Sequence, residues 1–202
     1  MGQLFGWTEG LLKDFAPKRL NGFHELASAW VAMTEKNLPP LTESEEDWVQ
    51  ELEAEENAEQ MWKAETATEL AAAALAVFIA SYVENAIKDL LHRAGHPLST
   101  IDRRGRPARH TWGTMSDHWN QFYPDALDSL PEHGNVRRTC EIANSFKHED
   151  GYPNAALVRD HGFTAGSRID YLQCVGSEQI DEARSFVSAV YDYLRSQGMA
   201  QV

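Results

Sequence analysis

Apolar residues recur along this chain mostly at three- and four-residue intervals, the spacing that gathers them on one side of a helix. Over residues 18–37, Leu20, Phe23, Ala27, Trp30 and Val31 form such a stripe, with Pro17 before it and Pro39 and Pro40 after it. Prolines in those places bound a helix. A second helical pattern runs from about residue 43 to residue 94, and Thr42 with Glu45, or Ser44 with Asp47, offers its cap. A stretch this long is far above the usual helix length, so a break is expected near residues 57–65. Its second half carries Leu70, Ala74, Val77, Phe78, Ser81, Val83, Ala86, Ile87, Leu90 and Leu91, and Gly95 with Pro97 ends it. A helix apolar on so many sides belongs in the middle of a bundle.

Further along, residues 96–111 read as a loop, and residues 112–130 as a helix with Trp119, Phe122 and Leu127 inward and Pro124 as an interruption. Residues 131–135 form a turn, and residues 136–148 a helix that Gly151 and Pro153 end. Residues 168–175 alternate apolar and polar positions, which is strand-like and fits a short hairpin with residues 155–158. A last helix starts near Ser177, with Ile180, Ala183, Val187, Val190 and Leu194 as its stripe and Gly198 at its close. The predicted fold is therefore all-α: an antiparallel helical bundle of five or six helices, open to a short β-hairpin near residues 155–175. It is a single domain over residues 1–202. Residues 1–59 form an N-terminal helical extension and residues 60–196 the core bundle, in which the 136–148 helix packs against residues 70–91.

With 202 residues, 43% of them apolar, the chain can bury one substantial core. Its two cysteines, Cys140 and Cys174, are too few for a disulfide framework. The first residues lack the order of a secretory leader, Gly6 stands where a myristoylation motif needs Ser or Thr, and the longest apolar run, residues 70–83, is short for a bilayer. The expected location is cytoplasmic, without a membrane partner. Net charge is -13, which opposes sequence-blind binding to nucleic acid. Nine acids and no base fall within residues 43–59, so the rest of the chain carries only -4. Such a run reads first as a solvated helix face and second as a docking surface for a basic partner. The one basic cluster is the loop bearing Arg103, Arg104, Arg106 and Arg109, a candidate grip for phosphates.

Chemistry concentrates on the 136–148 helix. Arg137, Glu141, Asn144 and His148 recur at helical intervals, so a cation, a carboxylate, an amide and an imidazole share one stripe, with Lys147 beside Asn144. Imidazole titrates near neutrality and can move a proton, and a cation beside it can stabilise charge on a phosphate. Solvent exposure and a helix-ending His explain the same pattern without chemistry. His92 and His96 have the spacing of metal ligands, but Gly95 and Pro97 disrupt the helix there, and neither a metal site nor a cofactor is expected. No Gly-rich phosphate loop or nucleophile elbow occurs.

The phrase Glu141-Ile142-Ala143-Asn144-Ser145-Phe146-Lys147-His148, with Gly151 shortly after, resembles the signature helix of the HEPN superfamily, and the Ala-rich helix with Tyr82-Val83-Glu84-Asn85 and Leu90-Leu91 looks like the central helix that precedes it there. The resemblance covers roughly residues 60–196. It implies a dimerising helical bundle in which an Arg, a polar residue and a following His line the dimer cleft and cleave RNA without metal, the 2′-hydroxyl attacking the adjacent phosphate. Asn144 and His148 match the polar residue and the His, whereas the Arg position falls on Ala143. Arg137 or Arg138 would then supply the cation, with Lys147, Glu141, Arg103, Arg104, Arg106 and Arg109 at the substrate. What the resemblance implies is a homodimeric, metal-independent endoribonuclease of toxin or phage-defence type, acting on RNA and paired with a cognate antitoxin or defence-complex protein. The alternative is a non-catalytic HEPN-like module that binds a partner protein or a nucleotide, its site decayed at Ala143.

Overall fold

The computed structural model describes residues 16–40, 47–101, 105, 108, 110–124 and 127–198. These are mostly helical and contain no β-strand. Seven helices follow in order among the described residues: α1 (Ala16–Asn37), α2 (Asp47–Arg93), α3 (Trp112–Phe122), α4 (His133–His148), α5 (Ala155–His161), α6 (Tyr171–Cys174) and α7 (Ser177–Ser196).

α2 is the axis of the molecule, in contact with α1, α3, α4, α6 and α7. It runs 47 residues without the break expected near residues 57–65. The reason is local: residues 47–93 contain no Gly and no Pro, and Ala, Glu and Leu dominate them. At about 1.5 Å per residue the helix is roughly 70 Å long. It stops where Gly95 takes a positive φ of 82° and the His96 amide donates back to the Leu91 carbonyl at 2.9 Å.

The C-terminal half of α2 supplies the centre of the core: Leu75, Ile79, Val83, Ile87, Leu90 and Leu91 are fully enclosed. Three members of its predicted face lie outside: Leu70 at 54% exposure, Phe78 at 48% and Ser81. Phe78 meets Phe23 of α1 edge-on, with ring centroids 5.5 Å apart. By length and composition α2 is apolar enough to cross a membrane, and 56% of its apolar window is buried by the surrounding chain. The expected stripe of α7 is buried throughout, with Phe186 and Tyr191 added to it.

α3 starts on a reciprocal cap: the Thr114 amide donates to the Thr111 hydroxyl at 3.4 Å, and the Thr111 amide to the Thr114 hydroxyl at 2.9 Å. It ends at Phe122, two residues before Pro124, and residues 127–130 are not helical.

The hairpin expected near residues 155–175 is absent, and two short helices, α5 and α6, take its place. Each begins on a side-chain cap. Asn154 Oδ1 accepts from the Leu157 amide at 2.9 Å, and Asp170 Oδ1 accepts from the Gln173 amide at 3.2 Å. The alternation that suggested a strand is real but confined to an extended entry into α6. Ile169 and Tyr171 point inward, Arg168 and Asp170 outward, and the Ile169 amide donates to the Gly151 carbonyl at 2.9 Å.

Candidate functional site

α4 buries Val136, Thr139, Cys140, Ile142, Ala143 and Ser145. Ala143 is wholly inaccessible. The position that carries Arg in the signature motif therefore faces the core in this chain. An Arg there would have to place a guanidinium among apolar neighbours, which is costly without a paired anion.

Arg137 and Arg138 are already engaged. Arg137 Nη2 donates to Asp160 Oδ2 of α5 at 3.1 Å. Asp160 also accepts from Arg159 Nε at 2.6 Å and Nη2 at 2.8 Å. These bonds, Arg159 first, hold the Asp160 carboxyl below its usual pKa. Arg138 lies over the Phe163 ring, 5.5 Å from its centroid, and reaches Cys174 Sγ at 4.0 Å. Both side chains also face His161, whose pKa is lowered first by burial and then by the two guanidinium groups.

Glu141 has a structural partner too: its Oε2 accepts from Asn154 Nδ2 at 2.6 Å. Ser145, fully buried, accepts from the Asn154 amide through its Oγ at 3.1 Å. Asn154 is thus held from α4 twice while it caps α5. The middle of the predicted stripe is the clasp between α4 and α5.

His148 and Lys147 are exposed at the far end of α4, and Asn144 is half-buried one turn before His148. Neither the His148 side chain nor the Asn144 side chain hydrogen-bonds to another described residue. Ten or eleven residues of helix separate His148 from Arg138 and Arg137, about 15 Å at the standard rise. They do not converge on one phosphate within the chain. Arg103, Arg104, Arg106 and Arg109 lie outside the described residues.

A guanidinium that sequence spacing did not single out stands at this end instead. Arg168 Nη2 donates to the Asp150 carbonyl at 3.2 Å, two residues beyond His148. Arg168, Tyr171, Gly151 and Phe146, with Glu69 and Leu70 of α2, line a cleft of about 290 Å³. Phe146 meets Tyr171 edge-on with centroids 5.7 Å apart. Tyr171 is 4% exposed, its hydroxyl has no hydrogen-bond partner among the described residues, and burial pushes its pKa up to about 12. Gly151 is required where it stands. Its φ is 84°, and a Cβ would come within 3.4 Å of the Tyr171 hydroxyl. Gly151 was legible as the stop of α4, whereas nothing local marks Arg168 or Tyr171 as neighbours of that stop.

His96 packs as an aromatic, stacked on Phe122 with ring centroids 3.8 Å apart. Among the described residues, no three His, Cys, Asp or Glu side chains gather as a metal site requires. Compared with protein-family models, curated proteins and solved structures, the chain matches none.

Proposed function

We propose that the chain is a HEPN-like helical module that binds a partner or nucleotide at its α4 end and does not cleave RNA. The observation that carries this is the burial of Ala143, with Arg137 and Arg138 spent on Asp160, Phe163 and Cys174. A general acid–base His needs a cation or an oriented donor within reach of the same phosphate. On α4 the only cation beside His148 is Lys147, a mobile point charge. The module acts as a cytoplasmic homodimer, because two copies of an exposed α4 end meeting on a two-fold axis build the cleft that the family resemblance implies. Purified chain at tens of micromolar (about the range of weak dimers) is expected to scatter light as a dimer. Incubated with single-stranded and hairpin RNA in EDTA, it is expected to leave both intact, and its expression is expected to leave growth unaffected. EDTA-resistant cleavage that disappears in His148→Ala overturns the binding reading.

The alternative that this outcome would establish is a metal-independent endoribonuclease of toxin or phage-defence type. It is favoured by one specific feature: the His148 imidazole is exposed and has no hydrogen bond to a described residue, with Asn144 one turn away and Arg168 held at Asp150. In that case Arg168 takes the part of the missing Arg, Asn144 orients the phosphate, His148 transfers the proton, and a cognate antitoxin protects the host.

A further inference from the structure

A single seam of α2 is buried in one half of the helix and open in the other. Counting by alternating steps of four and three, positions 73, 76, 80, 83, 87 and 90 are Ala, Ala, Ala, Val, Ile and Leu, none more than 2% exposed. The same count backward gives Glu69, Thr66, Trp62, Glu59, Glu55, Leu52 and Trp48. This is the a/d spacing by which one helix packs along another. Here Trp48 and Trp62 are each 63% exposed and Leu52 49%. α1 does not cover this seam, because it lies on the opposite side. Asn57, Ala64 and Thr68, about half a turn round from Glu55, Trp62 and Thr66, are the positions drawn in. The Asn57 amide donates to the Pro39 carbonyl at 3.1 Å, and Thr68 lines a cleft with Phe23 and His24 of α1. Large apolar side chains repeated at packing intervals on an open helix face mark an interaction site more than a solvated surface.

The charge around the seam selects the occupant. Between residues 48 and 69 the only base is Lys63, paired with Glu59 at 2.6 Å, and Arg168 reaches the far end of the seam, where it lines a cleft with Trp62, Glu65 and Glu69. Glu51, Glu55, Glu56 and Glu65 stand exposed on or beside the seam. A second copy of the chain fits poorly. Antiparallel self-pairing of this register sets Glu59 against Glu59, and parallel pairing sets Glu55 and Glu59 each against themselves. Like charges facing across a helix pair oppose association. A helix with Lys or Arg opposite Glu55 and Glu59, and apolar residues opposite Leu52 and Trp62, meets both requirements. From Trp48 to Trp62 the open seam spans about 21 Å, four turns, which is ample for such a segment.

We infer that the exposed seam of α2 docks a basic amphipathic helix of another protein. The site, Trp48 to Trp62, precedes Thr66 and Glu69, which line the cleft at the α4 end, so it stands whether or not that end cleaves RNA.

The test uses the full chain and two synthetic helical peptides of three heptads, fluorescein-labelled, with identical apolar seams. One carries Lys at the positions facing Glu55 and Glu59, the other carries Glu. The Lys peptide is expected to bind, and the Glu peptide to bind at least tenfold more weakly. Leu52→Ala with Trp62→Ala is expected to weaken the Lys peptide at least tenfold, with the circular dichroism of the chain unchanged. Glu55→Lys with Glu59→Lys is expected to reverse the peptide preference. Equal binding of the two peptides overturns the proposal, as does failure of the Lys peptide to bind. So does a seam occupied by a second copy, seen as a dimer that Trp62→Ala converts to monomer.

Discussion

Ala143 and Tyr171 are the two residues whose surroundings bear most directly on the α4 end. Ala143 has no accessible surface, so Ala143→Arg does not restore a motif. It forces a long side chain and a charge into a filled space. Overpacking alone costs about 1–3 kcal/mol, and an unpaired buried charge about 3–5 kcal/mol. The variant is expected to lose at least roughly 3 kcal/mol in urea unfolding and to gain no RNA cleavage. An unchanged midpoint would mean that α4 can turn this position outward. Tyr171→Phe probes the opposite case, a buried polar atom with nothing to lose. Its hydroxyl has no partner among the described residues, so its removal forfeits no hydrogen bond to them. Stability is expected to hold or rise by up to about 1 kcal/mol. A fall of that size instead would show that the hydroxyl is bonded in solution.

At the level of elements, what decided each segment was whether its determinants were close in sequence. α2 runs unbroken because no residue within it can break it, and the expected interruption rested on typical helix length alone. The ends of α3 and α4 follow from Thr111 and Pro124, and from Gly151, each next to the end it sets. The segment after α4 misled because period-two alternation at residues 168–171 needs a partner strand to become a sheet. The residues that would have paired instead begin at Asn154, a strong N-cap, and wind into α5. Asn154 before Ala155 and Asp170 before Tyr171 were readable as cap signals and outweigh so short an alternation.

For the whole molecule, two histidines make stability depend on pH. Burial lowers the pKa of His133, opposed by Asp128 and reinforced by Arg137. The Asp128 carboxylate stands 3.1 Å from Nε2 but off the direction of a hydrogen bond, so its pull is coulombic only. His161 is lowered as well, first by burial. In each case the unfolded chain binds its proton at a higher pH than the folded one. The stabilisation is therefore complete above the ordinary histidine value of 6.5 and is lost as pH falls through the folded values. Glu182, raised mainly by burial, works in the opposite sense, losing stability as pH rises from its ordinary value of 4.5. Tm is expected to drop on acidification below about 6.5, and His133→Gln with His161→Gln to flatten that part of the profile. A double variant with an unchanged slope would assign the acid sensitivity elsewhere.

Helix content, most helix ends and the buried faces of α7 and the second half of α2 were determined by the sequence itself. Periodicity, capping and breaking are properties of neighbouring residues, and those stripes meet other helices along most of their length. The tertiary structure alone decided that Ala143 faces inward, that Arg137 is taken by Asp160 twenty-three residues away, and that Arg168 reaches Asp150 eighteen residues back. It also decided that the seam of α2 is covered from Ala73 onward, half-covered at Thr66 and Glu69, and open from Trp62 back to Trp48. A repeat of apolar positions states which face of a helix is able to bury itself. Whether that face is buried depends on how far the neighbouring helices extend, and no local pattern on α2 carries that length.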